Sequence, residues 1–294
     1  MFPRVPDQHK EGKPLVPNGL GVIYVLLTTI YLFSLYFLGI VIPVNGVSAP
    51  LTLAICILFG GFMGLLDDWM DLKWRYKAFM PLIAALPLMF FAQEYPLRTS
   101  IMLLSGTIEF GNYYYLIIIP LIVMIVTNTV NMLGGLNGLE SMCPVIVLFG
   151  LLGISELTGQ PFTFMFVPIL FWLVLAVFNF QGRIFVGNVG SFAIGMTIAS
   201  FAVVADVKSG LLLSILPYVF NSVLILLTVF FTKKKAVVSF DGTKLISDHR
   251  RSLITLITYK RPLTERQVVA IISILVGVFT ALAIITEIFS FMFL

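Results

Sequence analysis

Residues 64–77 read Gly-Leu-Leu-Asp67-Asp68-Trp-Met-Asp71-Leu-Lys73-Trp-Arg75-Tyr-Lys77, three carboxylates followed by three cations. The chain around them is apolar: 59% of its residues are hydrophobic, 11% are charged, and the mean hydropathy is +1.05. Soluble domains carry roughly twice that share of charge. Burying an isolated carboxylate in hydrocarbon is costly, so acids that close an apolar run are candidates for function. A lone acid there would read as a solvated turn. Acids at i, i+1 and i+4, with Lys77 beyond them, read instead as hard oxygen donors beside a charge partner for phosphate.

Three further polar islands carry chemistry of the same kind. Asn128 and Asn131 stand at i, i+3 on one helix face and lead into Gly134-Gly135-Leu136-Asn137-Gly138, whose glycines let backbone approach a ligand. Gly187 and Asn188 open an apolar run, where a helix N-terminus favours anions. Lys233-Lys234-Lys235 close another run. Each island alone has a plain structural reading: small-residue helix packing, a helix start, a topology signal. Together, carboxylate and amide oxygens suit a magnesium-like cation, and lysines suit a diphosphate. The set describes a site for a nucleotide-linked or prenyl diphosphate at a membrane surface. A net charge of +4 gives no reason to expect nucleic acid. Cys56 and Cys143 lie inside apolar runs, so no disulfide framework is expected, and the separated His9 and His249 suggest no zinc site.

The elements that must position these residues are transmembrane helices. Apolar stretches of spanning length recur at about 19–42, 51–66, 78–93, 113–130, 138–155, 161–179, 189–205, 210–231 and 264–291. The expectation is an all-α polytopic bundle of about nine spans, one integral membrane domain over 1–294 with an extramembrane loop at 232–262. With prolines and polar residues before it, the first apolar run is not expected to be a cleavable signal peptide. Nine spans place 16 of the 18 Lys and Arg on one face, leaving Arg98 and Lys208 on the other. By the positive-inside rule the crowded face, which holds all four islands, is cytoplasmic.

In this order the motifs resemble the polyprenyl-phosphate N-acetylhexosamine-1-phosphate transferases. The resemblance is strongest to the eukaryotic and archaeal UDP-GlcNAc–dolichyl-phosphate branch, and it runs from Asp7 to Arg266. Asp7, Lys10 and Pro17-Asn18-Gly19 resemble the family's first cytoplasmic loop. Asp67-Asp68-x-x-Asp71 with Trp74-Arg75-Tyr76-Lys77 resembles its aspartate motif and phosphate-binding lysine. Asn128-x-x-Asn131 with Gly135-Leu136-Asn137-Gly138-Leu139 resembles its metal and nucleotide loop. Arg183-Ile184-Phe185-Val186-Gly187-Asn188 resembles its uracil-stacking and metal-binding segment.

The resemblance implies transfer of GlcNAc-1-phosphate from UDP-GlcNAc to a polyprenyl or dolichyl phosphate in the archaeal plasma membrane or the ER membrane. Asp67, Asp68 and Lys77 would be catalytic, and Asn131 and Asn188 would ligate magnesium, with manganese as a substitute. Asn137 and Phe185 would hold uracil, and Lys233 and Lys235 the diphosphate and sugar. Asp71 and Asn128 complete the implied substrate-binding set, and a homodimer is compatible with the family.

The chain departs from the family in four places. Asn188 stands where the family has Asp, and Lys233-Lys234-Lys235 where the eukaryotic branch has Arg-His-Arg. The family has a helix before its first cytoplasmic loop, which here stands near the first residue: either that helix is lacking or the true start lies upstream, and the expected ten spans become nine. The clustered histidines of the pentapeptide-using relatives are represented by His249 alone. Two rivals use other arrangements: an intramembrane prenyltransferase needs a second Asp-rich motif, and a transporter places polar groups near the bilayer midplane.

Overall fold

The computed structural model describes residues 2–103, 106–159, 162–233 and 235–293. Their helices are α1 (Gly21–Phe37), α2 (Ala49–Met70), α3 (Trp74–Ala84), α4 (Leu86–Glu94), α5 (Ile119–Met132), α6 (Leu139–Leu157), α7 (Phe166–Phe180), α8 (Gly187–Val204), α9 (Lys208–Ser214), α10 (Leu216–Thr232), α11 (Leu253–Ile257) and α12 (Glu265–Phe293). Short antiparallel hairpins join β1 (Arg4–Pro6) to β2 (Leu15–Pro17), β3 (Ser100–Leu103) to β4 (Gly106–Glu109), and β5 (Ser239–Phe240) to β6 (Leu245–Ile246). The protein is mostly helical. Among the described residues, seven helical segments are long and apolar enough to cross a membrane. The pair α9 and α10, bent by 54°, supplies an eighth, and α1 is apolar but only 17 residues long. The two expected spans that fall short of a full straight helix are therefore 19–42 and 210–231. Pro217 in the first turn of α10 accounts for the bend, since it has no amide to continue the ladder from α9.

Two boundaries differ from expectation in a way that matters for the site. The helix expected to end near residue 66 runs on to Met70, so Asp67 and Asp68 project from the last turn of α2 rather than from a loop. It stops at Asp71, whose φ of 45° is left-handed and whose amide returns to the Asp67 carbonyl at 3.0 Å. The next helix begins at Trp74, placing Lys77 on its first turn, and breaks at Ala85 between Pro81 and Pro87.

The core is built around α8. Every residue from Val189 to Val204 is buried. Small residues make that possible, because they let neighbouring backbones close in where lipid offers no hydrophobic drive to association. Gly60 and Gly64 of α2 lie against α8, and a methyl group on Gly64 would run into the Asn188 carbonyl. On the far side Gly195 leaves room for the Thr127 backbone of α5. The outer helices turn Phe90, Phe230, Phe231 and Ile274 outward, as expected of surfaces that meet acyl chains.

Beyond the C-terminal end of α8 sits a second polar cluster. Asp206 pairs with Arg98 Nε at 2.7 Å and with the Lys208 ammonium, which also donates to the Arg98 carbonyl. Lys208 is 1% exposed and lies 4.6 Å from the centre of the Tyr114 ring. Glu287 of α12 is close enough to interact with Arg98 and Lys208. In the extramembrane segment, Asp241 Oδ1 accepts the amides of Thr243 and Lys244 at 2.9 and 2.7 Å and forms the turn expected at 240–243. The Lys244 and Thr243 amides hold its carboxyl below the usual carboxylate range.

Candidate active site

The N-terminal end of α8 is where the sequence motifs meet. Asp67 is 3% exposed. Its Oδ1 accepts from Lys77 Nζ at 2.7 Å and from the Leu72 amide at 3.1 Å, while the buried Oδ2 has no partner. Asp68 points the other way and caps α8. The amides of Asn188 and Val189 donate to its two oxygens at 3.0 and 3.1 Å. The anion that a helix N-terminus favours is thus supplied by the protein itself. Gly187, with φ at +71°, is required at this junction: a Cβ there would crowd both Asp68 Oδ2 and the backbone of Gly19.

Ser191, one turn into α8, ties in the amide motif. Its hydroxyl donates to Asn131 Oδ1 at 2.8 Å, so Asn131 of α5 and Asn188 of α8 flank one serine. Among the described residues the Asn188 side chain has no hydrogen-bond partner; its backbone serves Asp68, which leaves the amide oxygen available as a ligand. Asn128 is placed differently. Its Nδ2 donates to the Ala78 and Met124 carbonyls, joining α5 to α3, so its donors serve the bundle.

Other expected residues stand further out. The Asp71 side chain is fully exposed and reaches Lys77 only at 3.9 Å. Lys233 and Lys235 are exposed and pair with no acidic group among the described residues; Lys234 lies outside those residues. Lys233 takes up the left-handed cap of α10, with φ at 53°. Phe185 is half-buried, its backbone held between the Pro17 carbonyl and the Leu20 amide.

Asn137 sits in a network that sequence reading had not assembled. Its amide nitrogen donates to Asp7 Oδ2 at 2.8 Å and to Glu265 Oε1 at 3.1 Å, and its backbone amide donates to Glu265 Oε1 at 2.7 Å. Gly138 and Ser141 donate to Asn179 Oδ1, and Asn179 donates to the Ile184 carbonyl, linking this loop to the segment before Phe185. Glu265 lies 128 residues from Asn137 in sequence. Its only local signal was an acid opening a span.

Among the described residues no three His, Cys, Asp or Glu side chains gather into a metal-binding group. The arrangement fits a hard cation nonetheless, through oxygen donors of mixed type. An unpartnered buried oxygen on Asp67 shares the α8 N-terminal region with the amides of Asn131 and Asn188. Lys77 balances only one of the acids there. The sum is a helix end with more acids than cations and an unpartnered carboxylate oxygen, suited to a divalent cation carrying phosphate.

Relatives of this chain are known. The profile of the family described as "Glycosyl transferase family 4" matches residues 50–206. A Saccharolobus solfataricus protein provisionally named a UDP-N-acetylglucosamine–dolichyl-phosphate N-acetylglucosaminephosphotransferase is 30% identical over 96% of this chain and 87% of its own length. The Saccharomyces cerevisiae protein of that name is 24% identical over 73% of this chain and 58% of its own length. A Streptococcus thermophilus phospho-N-acetylmuramoyl-pentapeptide-transferase is 28% identical over 76% of this chain and 68% of its own length. The matched region carries Asp67, Asp68, Lys77, Asn131 and Asn188, and with it the chain belongs to glycosyl transferase family 4.

Proposed function

We propose that this chain transfers N-acetylglucosamine 1-phosphate from UDP-GlcNAc to a polyprenyl phosphate of the dolichyl type, releasing UMP. It acts as one integral membrane domain whose active end faces the cytoplasm. The observation that carries this reading is Asp67. It is a buried carboxylate, locked by Lys77 on one oxygen and unpartnered on the other, beside the α8 N-terminus that Asp68 organises. The names of the archaeal and yeast relatives support the choice of donor and acceptor.

The chemistry asked of these residues is modest. A phosphomonoester has its second pKa near 6, so the lipid phosphate is mostly dianionic at neutral pH and needs little base assistance. The harder problem is bringing two anions together and stabilising charge as it shifts toward UMP. Lys77 supplies one positive charge at a fixed place, preset by Asp67. Asp67 positions the attacking phosphate through Lys77, and Asp68 does so through its hold on α8. Asn137 and Phe185 bind the uracil, with Asp71 and Asn128 completing the substrate-binding set. Lys233 and Lys235, exposed on the extramembrane segment, meet the diphosphate and sugar. Family 4 enzymes are typically magnesium-dependent; here Asn131 and Asn188 would hold the ion, with manganese as a substitute, and it would neutralise diphosphate charge.

The test uses membranes containing the protein, a short polyprenyl phosphate and UDP-GlcNAc labelled in the sugar. Label should enter the lipid fraction with stoichiometric release of UMP. Adding UMP to the product lipid should regenerate UDP-GlcNAc, because one diphosphate bond is exchanged for another. Release of UDP or of free phosphate would overturn the reaction proposed. Label from a different UDP-sugar entering the lipid in preference would replace the donor.

A further inference from the structure

Asn137 has one amide with two donors and one acceptor, and the fold has used both donors. One meets Asp7 Oδ2 at 2.8 Å and the other Glu265 Oε1 at 3.1 Å. Ionised carboxylates only accept, so the amide cannot turn over without setting its oxygen against two anions. Its Oδ1 is left buried with no partner. That oxygen faces the space beside Gly182, whose φ of +66° and missing Cβ leave room for the Lys10 ammonium. Lys10 is tied to Asp7 Oδ2 and to the Gly182 carbonyl, both at 3.3 Å, and its side chain is one-third exposed.

The two carboxylates are themselves held. Asp7 is 1% exposed and sits just past β1, with its amide on the Pro14 carbonyl and its Oδ1 on the His9 amide. Glu265 opens α12, whose start is fixed by a reciprocal cap: the Thr264 amide donates to Gln267 Oε1 and the Gln267 amide to Thr264 Oγ1. Three segments remote in sequence therefore converge to fix the direction of one amide.

We infer that Asp7 and Glu265 are positioning residues for base recognition: they lock Asn137 so that it presents only an acceptor, which selects uracil over cytosine. This rests on the proposed uridine-nucleotide donor. The Watson–Crick edge of uracil carries a single donor, N3–H, between two carbonyls. A fixed acceptor aligned with that position meets N3–H in uracil but the N3 lone pair in cytosine, whose only donor is displaced to N4. A site that leaves a buried polar group unpaired rejects the wrong ligand strongly, here by about 10²-fold or more. Neither acid needs to touch the nucleotide.

The experiment compares UMP and CMP as ligands of the purified full-length protein in nanodiscs, with kcat and KM for UDP-GlcNAc measured alongside. Glu265→Gln and Asp7→Asn each replace an obligate acceptor by an amide that can also donate, so each removes one of the two charges that oppose a flip of Asn137. Wild type should prefer UMP. Each variant should lower the UMP-to-CMP ratio by about 10-fold, the double variant more, with KM rising more than kcat falls. Glu265→Asp, which keeps the carboxylate, should recover part of the ratio. If UMP binds and the ratio stays at the wild-type value in the variants, or if both affinities fall equally, the lock is refuted while the donor assignment stands. If wild type binds neither nucleotide, the uridine reading fails and the inference falls with it. Should Glu265→Gln not fold, Asp7→Asn carries the same comparison from a different segment.

Discussion

The two ends of α8 hold two ionic clusters that differ in how their charge closes. An 18-residue helix separates them by about 27 Å. At the C-terminal end Arg98 and Lys208 face Asp206 and Glu287, two against two, and Asp206 is shared by both cations. At the N-terminal end Lys77 faces Asp67, while Asp68 takes its partners from backbone amides and Asp71 projects into solvent. Both clusters leave a buried carboxylate oxygen without a hydrogen-bond partner, Glu287 Oε1 at one end and Asp67 Oδ2 at the other. They differ in the cations beside the acids: two cations share Asp206, whereas Lys77 alone meets Asp67 and Asp68 is held by backbone amides. An open oxygen alone does not mark a reaction centre; an open oxygen among acids that outnumber their cations does.

That contrast can be broken at either end. The largest effect is expected from Lys77→Ala or Asp67→Ala, which should each reduce transfer by at least about 10²-fold while the protein stays folded in detergent. Asp68→Ala should match them in activity and also lower thermal stability by roughly 1 kcal/mol, since it removes the cap of α8. Wild-type turnover in any of the three would end the assignment. At the closed end, Lys208→Met should destabilise the protein by about 3–5 kcal/mol by leaving a buried acid short of a partner. The KM for UDP-GlcNAc of the surviving folded fraction should be unchanged. A melting curve equal to wild type would show that this cluster holds nothing together.

Finer changes sharpen the open end. Asn131 and Asn188 are both neutral, so magnesium should bind weakly in the absence of nucleotide, and Asn188→Asp should lower the magnesium concentration for half-maximal rate several-fold. The structure removes a rival explanation, because the capping of α8 is done by Asp68 and not by the Asn188 side chain. An unchanged magnesium titration would take residue 188 out of the ligand set. The smallest effect is expected from Asp71→Asn. Its exposure predicts a stability change within about 0.5 kcal/mol and a rate within a few-fold of wild type. A large loss would give the third acid a greater share in substrate binding than its exposure predicts.

Much of the open cluster was legible in the sequence because polar residues stand out against 59% hydrophobic composition. Asp67, Asp68, Asn131 and Asn188 were visible as interruptions of apolar runs. Their division of labour was not, since it depends on α2 continuing to Met70 and on the helix crossing at Gly64. The closed cluster was hidden for a related reason: Arg98 and Lys208 read as the two stray cations of the other face, and nothing local says that both reach Asp206. Glu265 and Asp7 were illegible as partners of Asn137. An acid at the solvent end of a span looks like a terminus preference, and pairing across more than a hundred residues leaves no periodic trace. The bend at Pro217 was foreseeable from proline's missing amide; the expected span at 210–231 passed over it because hydropathy ignores backbone chemistry.

The burial of α8 from Val189 to Val204 has a consequence for how the enzyme meets its surroundings. Thinning, tension or a change of acyl chains acts first on the helices whose side chains touch lipid, such as those carrying Phe90, Phe230 and Ile274. The helix that carries Asn188 has no such contact along that stretch, and disturbances reach it through the helices packed on it, most closely through the backbones of α2 and α5 where glycines bring them near. The position of the proposed metal ligand is thereby insulated from the solvent in which the protein floats. A membrane that remodels its lipids with temperature would alter how the acceptor arrives before it altered the place where the diphosphate is held.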